Sequence, residues 1–164
     1  MHFHEGLFHK LFRKNNGQPS YSVIMLPKRA ACFDGRITVS LPPDFKQEKK
    51  QKGQYSFIGG TSALRLTVMQ MPFQRNVRRI APLELQVAFR HLISPTLRPA
   101  LTRGFLHRSP TQTAVWQRSD KQKTVLHLIQ VRRTVYLLFL EGVRSQNADY
   151  VQPILDAVSI KADQ

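Results

Sequence analysis

Hydrophobic and polar residues alternate along several short stretches of the chain, as they do in β-strands that bury one face. In 37–41, isoleucine, valine and leucine alternate with threonine and serine, and 64–68 shows the same period. Two later stretches, 124–131 and 134–140, are apolar on both faces, which is typical of central strands. The pattern as a whole predicts strands at 21–26, 32–33, 36–41, 55–58, 64–71, 104–107, 113–117, 124–131 and 134–140.

Turn residues separate these strands where hairpins require them. Asp34–Gly35 is the commonest kind of two-residue hairpin turn, and Pro42–Pro43 ends the strand that follows it. The segment Gly59–Ser62 predicts another turn, and Arg132–Arg133 fits a tight turn although it lacks asparagine or glycine. The segment 46–54, which is rich in lysine and glutamine, is predicted to be a polar loop.

Two stretches have helical periodicity. The first runs from Pro82 to Ser94 and has an apolar residue at every third or fourth position. The second follows Asn147, a favourable N-cap residue. Pro153 is expected to kink or restart this second helix, because proline removes a helical hydrogen bond. The segment 96–103 matches neither pattern and is not assigned.

The N-terminal segment 1–20 is predicted to be a short amphipathic helix followed by a linker. Its apolar stripe includes Phe8, Leu11 and Phe12, with basic residues beside it, and 15–20 breaks the pattern. A helix folded back onto the domain is the first interpretation. A helix that docks on a partner or on a membrane surface is the second.

The order of the elements is strands, helix, strands, helix, and this order predicts an α+β fold in which helices pack on an antiparallel sheet. A chain of 164 residues with 41% hydrophobic residues has the size of one ordinary domain. Such a chain buries a sufficient core without a metal ion or a disulfide. We therefore expect a single α+β domain at 21–164, preceded by the N-terminal helix and linker of 1–20.

Segments near both ends of this domain resemble the Mog1/PsbP-like superfamily. Residues 33–45 read FDGRITVSLPPDF and are similar to the opening hairpin of that fold, in which a strand ends in Leu-Pro and a following aromatic residue caps the sheet. The segments 136–142, 150–155 and 159–161 resemble its ending. The resemblance covers about 21–161. Its members include a binding factor for a nuclear transport GTPase, a photosystem subunit and bacterial secretion-effector chaperones, so it implies partner binding without a shared catalytic site.

No targeting segment and no transmembrane span are expected. The N-terminus lacks the uninterrupted apolar stretch and the small-residue cleavage site of a signal peptide. Nowhere do about eighteen apolar residues run together. Cys32 is the only cysteine, which excludes a disulfide framework and a zinc site built on cysteines. These features predict a cytoplasmic protein.

The residue types that most often carry catalysis are scarce or poorly spaced. Asp34, Asp44, Asp120 and Asp149 have turn, loop or helix-start contexts, and no pair of carboxylates has a spacing that favours acid–base catalysis. The six histidines show no metal-ligand spacing. His127 is flanked by apolar residues in a predicted strand and is therefore expected to be a core histidine.

Cys32 and the glycine-rich segment Gly59–Ser62 are two further candidates. No nucleophile signature surrounds Cys32, which is expected to be a small, half-buried apolar residue. Gly59–Ser62 lacks both the Walker lysine and the dinucleotide glycine spacing, and a hairpin turn explains it. We therefore expect no catalytic residue, no metal and no cofactor, and predict that the chain is not an enzyme.

Positive charge is the feature that rises above background. The 25 Lys and Arg residues and 10 Asp and Glu residues give a net charge of +15. Lys49–Arg118 has twelve basic residues and one acidic residue, a net charge of +11, whereas Glu141–Gln164 has two basic and four acidic residues. Arginine predominates in the basic part, and its guanidinium fork suits phosphate or carboxylate recognition. A dispersed, solvated basic surface explains the same composition, and the two interpretations have equal weight.

These observations predict a non-enzymatic, chaperone-like or adaptor-like module with a basic partner-binding surface. The expected partner is a protein with an acidic surface. The predicted binding residues are Arg75, Arg78, Arg79, Phe8, Leu11 and Phe12. The alternative is a sequence-indifferent nucleic-acid-binding protein, although no helix-turn-helix, RNP or zinc-finger pattern accompanies the charge.

Overall fold

Ten β-strands make up most of the described structure, and each is antiparallel to its hydrogen-bonded neighbours. The structure is a computed structural model that describes residues 24–49, 51–71, 76–81, 84, 87, 98–118 and 120–161. The chain divides into two units, Met1–Pro43 with Ser145–Gln164, and Asp44–Arg144.

The strands form two sheets. They are β1 (Lys28–Cys32), β2 (Ile37–Leu41), β3 (Phe45–Gln47), β4 (Gln54–Gly59), β5 (Arg65–Met71), β6 (Ala100–Leu106), β7 (Ser109–Gln117), β8 (Lys123–Val131), β9 (Thr134–Val143) and β10 (Ser159–Ile160). The helical elements with described bounds are two 3₁₀ turns, η1 (Val77–Arg79) and η2 (Ala148–Tyr150), and one α-helix, α1 (Val151–Asp156). The first unit contains a sheet of order β1-β2-β10, and the second contains a sheet of order β3-β4-β5-β9-β8-β7-β6.

A tight turn at Asp34 and Gly35 joins β1 to β2, as the sequence predicts. The φ angles of these residues are 56° and 79°. The N–H of Arg36 donates to the carbonyl of Phe33 at 3.1 Å, so Asp34 and Gly35 are the central residues, and Phe33 before them also has a positive φ angle of 53°. Positive φ angles at both central residues are characteristic of a type I′ turn, whose twist matches that of the flanking strands. The last pair in the resulting register is Lys28 with Leu41. Pairing stops there because Pro42 follows Leu41, and proline has no N–H to continue a ladder.

The predicted C-terminal helix consists of η2 followed by α1. Pro153 lies in the first turn of α1, where its missing N–H removes no intrahelical hydrogen bond. The change from 3₁₀ turn to α-helix comes at Val151, two residues before Pro153, and α1 runs through the proline to Asp156. Asn147 occupies the N-cap position of η2, as predicted, but its side chain makes no capping hydrogen bond. After α1 the chain returns to the first sheet, where Ser159 and Ile160 pair with β2.

The two strands predicted to be central are confirmed as such. Residues 124–129 of β8 and 135–140 of β9 are all buried, so both faces of each strand are covered. The predicted tight turn at Arg132–Arg133 joins them, and Arg132 has a φ angle of 58°. On its other side β9 pairs with β5, from which it is separated along the chain by three other strands.

One face of the seven-stranded sheet carries a continuous apolar core. On this face, side chains of the five strands β5 to β9 pack against residues in and beside η1. The core members are Val77, Ile80, Ala114, Trp116, Leu126, Leu128, Val135, Leu137 and Phe139, with Met69, Met71 and Leu101 packed against them. Trp116 is fully buried, and truncation of such a side chain to alanine costs about 3–5 kcal/mol.

Three segments differ from the strands predicted. Of the strand predicted at 21–26, residues 24–26 are not a strand, because β2 offers no partner beyond Leu41, and 21–23 lie outside the described residues. The predicted polar loop begins inside β3, which is a strand because β4 pairs with it, Phe45 facing Gly59. Strand β6 includes the second half, 100–103, of the unassigned segment 96–103 and ends at Leu106, immediately before His107, which lies in a turn.

The helices predicted to pack on the sheet are not supported. The α-helix with described bounds, α1, has six residues. Of the helix predicted at 82–94 the structure describes Glu84 and Val87, both of which are helical, and the rest lies outside the described residues, as does the whole N-terminal helix predicted within 1–20. The described structure is therefore a mainly antiparallel β fold with one short α-helix.

Candidate functional site

Two hairpin turns rich in arginine lie side by side at one end of the seven-stranded sheet. His107–Arg108 joins β6 to β7, and Arg132–Arg133 joins β8 to β9. All four side chains are exposed. We refer to Arg108, Arg132 and Arg133 together as the turn cluster.

The register between β7 and β8 makes the two turns level. Thr111 lies opposite Ile129, so two residues further along Ser109 is level with Val131. Ser109 begins β7 and Val131 ends β8, and both turns therefore project from the same row of the sheet. Because neighbouring strands lie about 4.8 Å apart, the centres of the two turns are about 10 Å apart.

Gln130 connects the 3₁₀ turn η1 to the turn cluster. Its Oε1 accepts a hydrogen bond from the backbone N–H of Val77 at 2.8 Å, and its Nε2 donates to the carbonyl of Arg132 at 3.1 Å. Arg79, the exposed last residue of η1, follows Val77 by two positions. Arg79 is therefore held at the same end of the sheet as the turn cluster.

Gln112 of β7 fixes the residue that follows η1. Its Nε2 donates a hydrogen bond to the carbonyl of Ile80 at 3.0 Å, and the side chain is fully buried. Other placements of the Ile80 carbonyl would leave the buried Nε2 of Gln112 without an acceptor, so this hydrogen bond favours a single placement of that carbonyl. The Oε1 of Gln112 is buried and has no hydrogen-bond partner among the described residues. Two glutamine side chains thus attach η1 to the sheet.

Acidic residues are nearly absent from the strands that present the turn cluster. The segment 98–117 has none, and the segment 123–143 has only Glu141. Glu141 lies at the opposite end of β9, where it faces Arg65. Arg65 itself forms an ion pair with Glu48, with Nε 2.7 Å from Oε1. The turn cluster therefore places three exposed arginines on two level turns, at an end of the two hairpins where the strand residues include no carboxylate.

Of the residues predicted to bind a partner, the structure describes the side chain of one, Arg79. Arg78 belongs to η1, but its side chain lies outside the described residues. The other predicted binding residues, Arg75, Phe8, Leu11 and Phe12, lie outside them entirely. Their roles in binding stay predictions.

The members of the turn cluster are not among the binding residues predicted from the sequence, because Arg108 and Arg132 lie far apart in the chain. The register of β7 on β8 places their two turns at the same end of the sheet, and that register cannot be predicted from the local hydrophobic periodicity of either strand. The structural roles of Gln112 and Gln130, by contrast, could have been inferred from the sequence. Each occupies a position on the apolar face of its strand, where a polar side chain indicates a specific hydrogen-bond partner.

His127 is a core histidine, as predicted. Its side chain is 7% exposed, and its Nδ1 lies 2.7 Å from the hydroxyl oxygen of Thr113 on β7. Burial lowers the pKa of His127 to about 4, because desolvation disfavours the imidazolium. The imidazole is therefore neutral at neutral pH.

Cys32 is more buried than the half-buried residue predicted, with 1% of its surface exposed. Its Sγ donates a weak hydrogen bond to the carbonyl of Ala30 at 3.9 Å. Burial raises the pKa of the thiol to about 11, because desolvation disfavours the thiolate. Since the thiolate is the nucleophilic form, Cys32 is an inert apolar residue at neutral pH.

The glycine-rich turn Gly59–Ser62 accommodates a carboxylate of the same chain. Asp44 Oδ2 accepts hydrogen bonds from the backbone N–H of Thr61 at 3.0 Å and from its hydroxyl at 2.8 Å. The hydrogen bond from the backbone N–H of Thr61 is the main cause that lowers the pKa of Asp44 below its usual value, and the hydrogen bond from the Thr61 hydroxyl lowers it further. This turn joins β4 to β5, as predicted, and Asp44 attaches it to the start of β3.

Neither a cluster of metal-binding side chains nor a membrane-spanning helix occurs in the described part of the chain. There, no group of three or more His, Cys, Asp or Glu side chains lies close enough to hold a metal ion. In the same residues, no helix has the length and apolar character that crossing a membrane requires.

Comparison with solved structures identifies the fold. The solution structure of cyanobacterial PsbP (CyanoP) from Synechocystis sp. PCC 6803 matches with a TM-score of 0.60 and 10% identity, over 88% of this chain and 98% of that one. A 1.50 Å crystal structure from Bacteroides thetaiotaomicron VPI-5482 matches with a TM-score of 0.48 and 9% identity, over 85% of this chain and 50% of that one. No protein-family model and no curated protein sequence matches the chain. The chain therefore has a PsbP-like fold, which confirms the fold-level resemblance predicted from the sequence.

Proposed function

We propose that this chain is a non-enzymatic protein-binding module of the adaptor or chaperone kind, and that it binds an acidic protein surface through the turn cluster. The observation that carries the proposal is the level placement of two arginine-bearing turns at one end of the sheet. The resemblance to a superfamily of partner-binding proteins supports the same class of function.

The turn cluster suits carboxylates because its arginines are presented by rigid supports. Each turn closes a two-residue hairpin, and the strands behind it form the buried core of the sheet. A guanidinium group binds a carboxylate through two parallel hydrogen bonds, which gives direction as well as affinity. Three such groups on fixed turns match an acidic surface at less entropic cost than arginines on flexible loops.

A small cluster favours a protein partner over nucleic acid. Sequence-indifferent nucleic-acid binding uses many phosphate contacts along a continuous basic track, often with stacked aromatic residues. The turn cluster supplies three arginines, and Arg79 lies at the same end of the sheet. This number of charges is suited to a local group of carboxylates.

The test compares two triple charge reversals that change the net charge equally. One is Arg108→Glu with Arg132→Glu and Arg133→Glu. The control is Lys46→Glu with Lys121→Glu and Lys123→Glu, which alters exposed lysines away from the turn cluster. The partner is isolated by co-purification with the wild-type chain from the native host, and its affinity for each variant is measured by calorimetry.

We expect the turn-cluster variant to lose on the order of a hundredfold in affinity, since three ion pairs at about 1 kcal/mol each are removed. The lysine variant should stay within a few-fold of the wild type. Equal losses in both variants would show that binding follows net charge and would refute a role for the turn cluster. Recovery of nucleic acid instead of protein, with affinity that falls steeply with salt, would favour the alternative function.

A further inference from the structure

Among the described strands, β6 is the longer of the two edge strands of the seven-stranded sheet. We propose that this edge binds an extended, acidic segment of the partner by β-strand addition, an inference that rests on the proposed protein-binding function. In this mode a peptide becomes an additional strand, so backbone hydrogen bonds supply affinity and alternate side chains supply specificity.

The two edges of this sheet differ in length. At one edge, β3 has three residues and follows Pro42–Pro43, and a short edge strand beside proline is a poor template for another strand. At the other edge, β6 has seven residues, of which four are exposed. No described strand pairs with the outer side of β6. Strand addition to this sheet is therefore favoured at β6.

The pairing of β6 with β7 determines which backbone groups point outward. Leu106 and Ser109 flank the two-residue turn and form a hydrogen-bonded pair. Phe105 faces Pro110, which has no N–H to donate, so that pair is a non-hydrogen-bonded one. Hydrogen-bonded and non-hydrogen-bonded pairs alternate along antiparallel strands.

The same alternation gives the direction in which the other backbone N–H and C=O groups of β6 point. The N–H and C=O groups of Thr102 and Gly104 point towards β7, whereas those of Leu101 and Arg103 point away from the sheet. Leu101 and Arg103 therefore provide the donors and acceptors to which an added strand would pair.

The side chains of β6 indicate the sequence that such a segment should have. Leu101, Arg103 and Phe105 lie on one face because side chains alternate along a strand. Arg103 is exposed, and Phe105 is 62% exposed. A complementary strand therefore presents a carboxylate opposite Arg103 and apolar side chains two residues to either side, near Leu101 and Phe105.

Charge distinguishes an acidic partner from the other strands that could pair here. The segment 98–117 contains Arg98, Arg103 and Arg108 and no acidic residue. A second copy pairing antiparallel about Arg103 would place like charges directly opposite each other, which destabilises the pair. The segment 1–20 of the same chain has three Lys and Arg residues against one glutamate, so its net charge does not complement that of β6.

Amide hydrogen exchange measured by NMR tests the premise in the full-length chain. The amides of Leu101 and Arg103 should exchange at least about tenfold faster than those of Thr102 and Gly104, because only the latter are bonded within the sheet. Strong protection of Leu101 and Arg103 in the free chain would show that the edge is already covered and would overturn the proposal.

The probe for binding is a capped nonapeptide with glutamate at its centre, valine two residues to either side, and serine and threonine elsewhere. One control peptide has lysine in place of the glutamate, and a second has N-methylated valines, which lack the two N–H groups that an added strand would direct towards β6. The glutamate peptide should slow exchange at Leu101 and Arg103 by about tenfold or more at saturation, and neither control should do so. Arg103→Glu should reverse the preference between the glutamate and lysine peptides.

Absence of binding, or binding without protection of Leu101 and Arg103, would refute strand addition. That result leaves the proposed function intact if the native partner still depends on the turn cluster. If the native partner binds the turn-cluster variant normally, the proposed function fails whatever the peptide shows. The two failures are therefore distinguishable.

Discussion

The backbone carbonyl oxygen of Ala63 lies so near Gly142 that a Cβ atom on Gly142 would be 2.7 Å away from it. Gly142 also has a φ angle of 76°, in the left-handed region that glycine adopts without steric cost. The chain thus requires glycine near the end of β9 for two independent reasons, a close approach of backbone and an unusual dihedral angle.

Gly142→Ala should therefore destabilise the protein more than the same change at a glycine with a similar dihedral angle and open surroundings. Gly53 is that control, with a φ angle of 75° and nothing within 4 Å of the position that a Cβ atom would occupy. Gly53→Ala should cost about 1 kcal/mol from the dihedral angle, and Gly142→Ala a further 1–3 kcal/mol or so from the clash. Urea unfolding measures both, and equal costs would contradict the close approach.

The neutral state of His127 predicts a pH dependence of stability. The pKa of this imidazole falls from 6.5 to about 4 on folding. The unfolded chain therefore binds a proton that the folded chain excludes, so the free energy of unfolding is highest above pH 6.5 and falls as the pH decreases towards 4. Between pH 7.5 and pH 5 the loss should be about 2 kcal/mol.

The variant His127→Gln isolates this contribution, because glutamine does not titrate and retains a group that can bond to Thr113. Urea unfolding of the wild type and the variant at both pH values gives the difference directly. Identical pH profiles for the two proteins would show that His127 is not the group responsible.

The attachment of η1 predicts the effect of removing Gln112. Gln112→Ala should cost about 1–3 kcal/mol, because the carbonyl of Ile80 loses its donor inside the protein. The control is Gln117→Ala at the exposed end of the same strand, which should change stability by less than about 0.5 kcal/mol. Thermal unfolding of both variants is the measurement. A cost at Gln112 no greater than that at Gln117 would show that the hydrogen bond to η1 contributes little.

Burial of Cys32 predicts slow chemical labelling. The raised pKa of its thiol and its exposure of 1% both suppress attack by the thiolate. Reaction with a disulfide reagent at mild alkaline pH should be on the order of a hundredfold or more slower in the native chain than in the urea-unfolded chain. Native labelling at nearly the unfolded rate would indicate that the β1–β2 hairpin opens readily.

Short-range chemistry in the sequence accounts for the individual strands and turns. Asp34–Gly35 specifies a type I′ turn because aspartate and glycine tolerate positive φ angles. The doubly apolar stretches at 124–131 and 134–140 specify central strands because no solvent-facing side is present. Strand β3 could not be predicted in this way, because its three residues have no hydrophobic periodicity and are a strand through their pairing with β4.

The candidate binding surface depends on contacts between segments that are distant in the sequence, and local sequence patterns do not predict such contacts. The sequence determined that the chain has arginine-bearing turns, two neighbouring strands that are apolar on both faces, and a PsbP-like order of elements. Tertiary structure alone decided that the turns at Arg108 and Arg132 are level, that Gln130 brings η1 beside them, and that β6 is left at an edge. The physical reason is that strand register and strand order arise from hydrogen bonds and packing between distant segments, whereas periodicity reports only which face of each segment is buried.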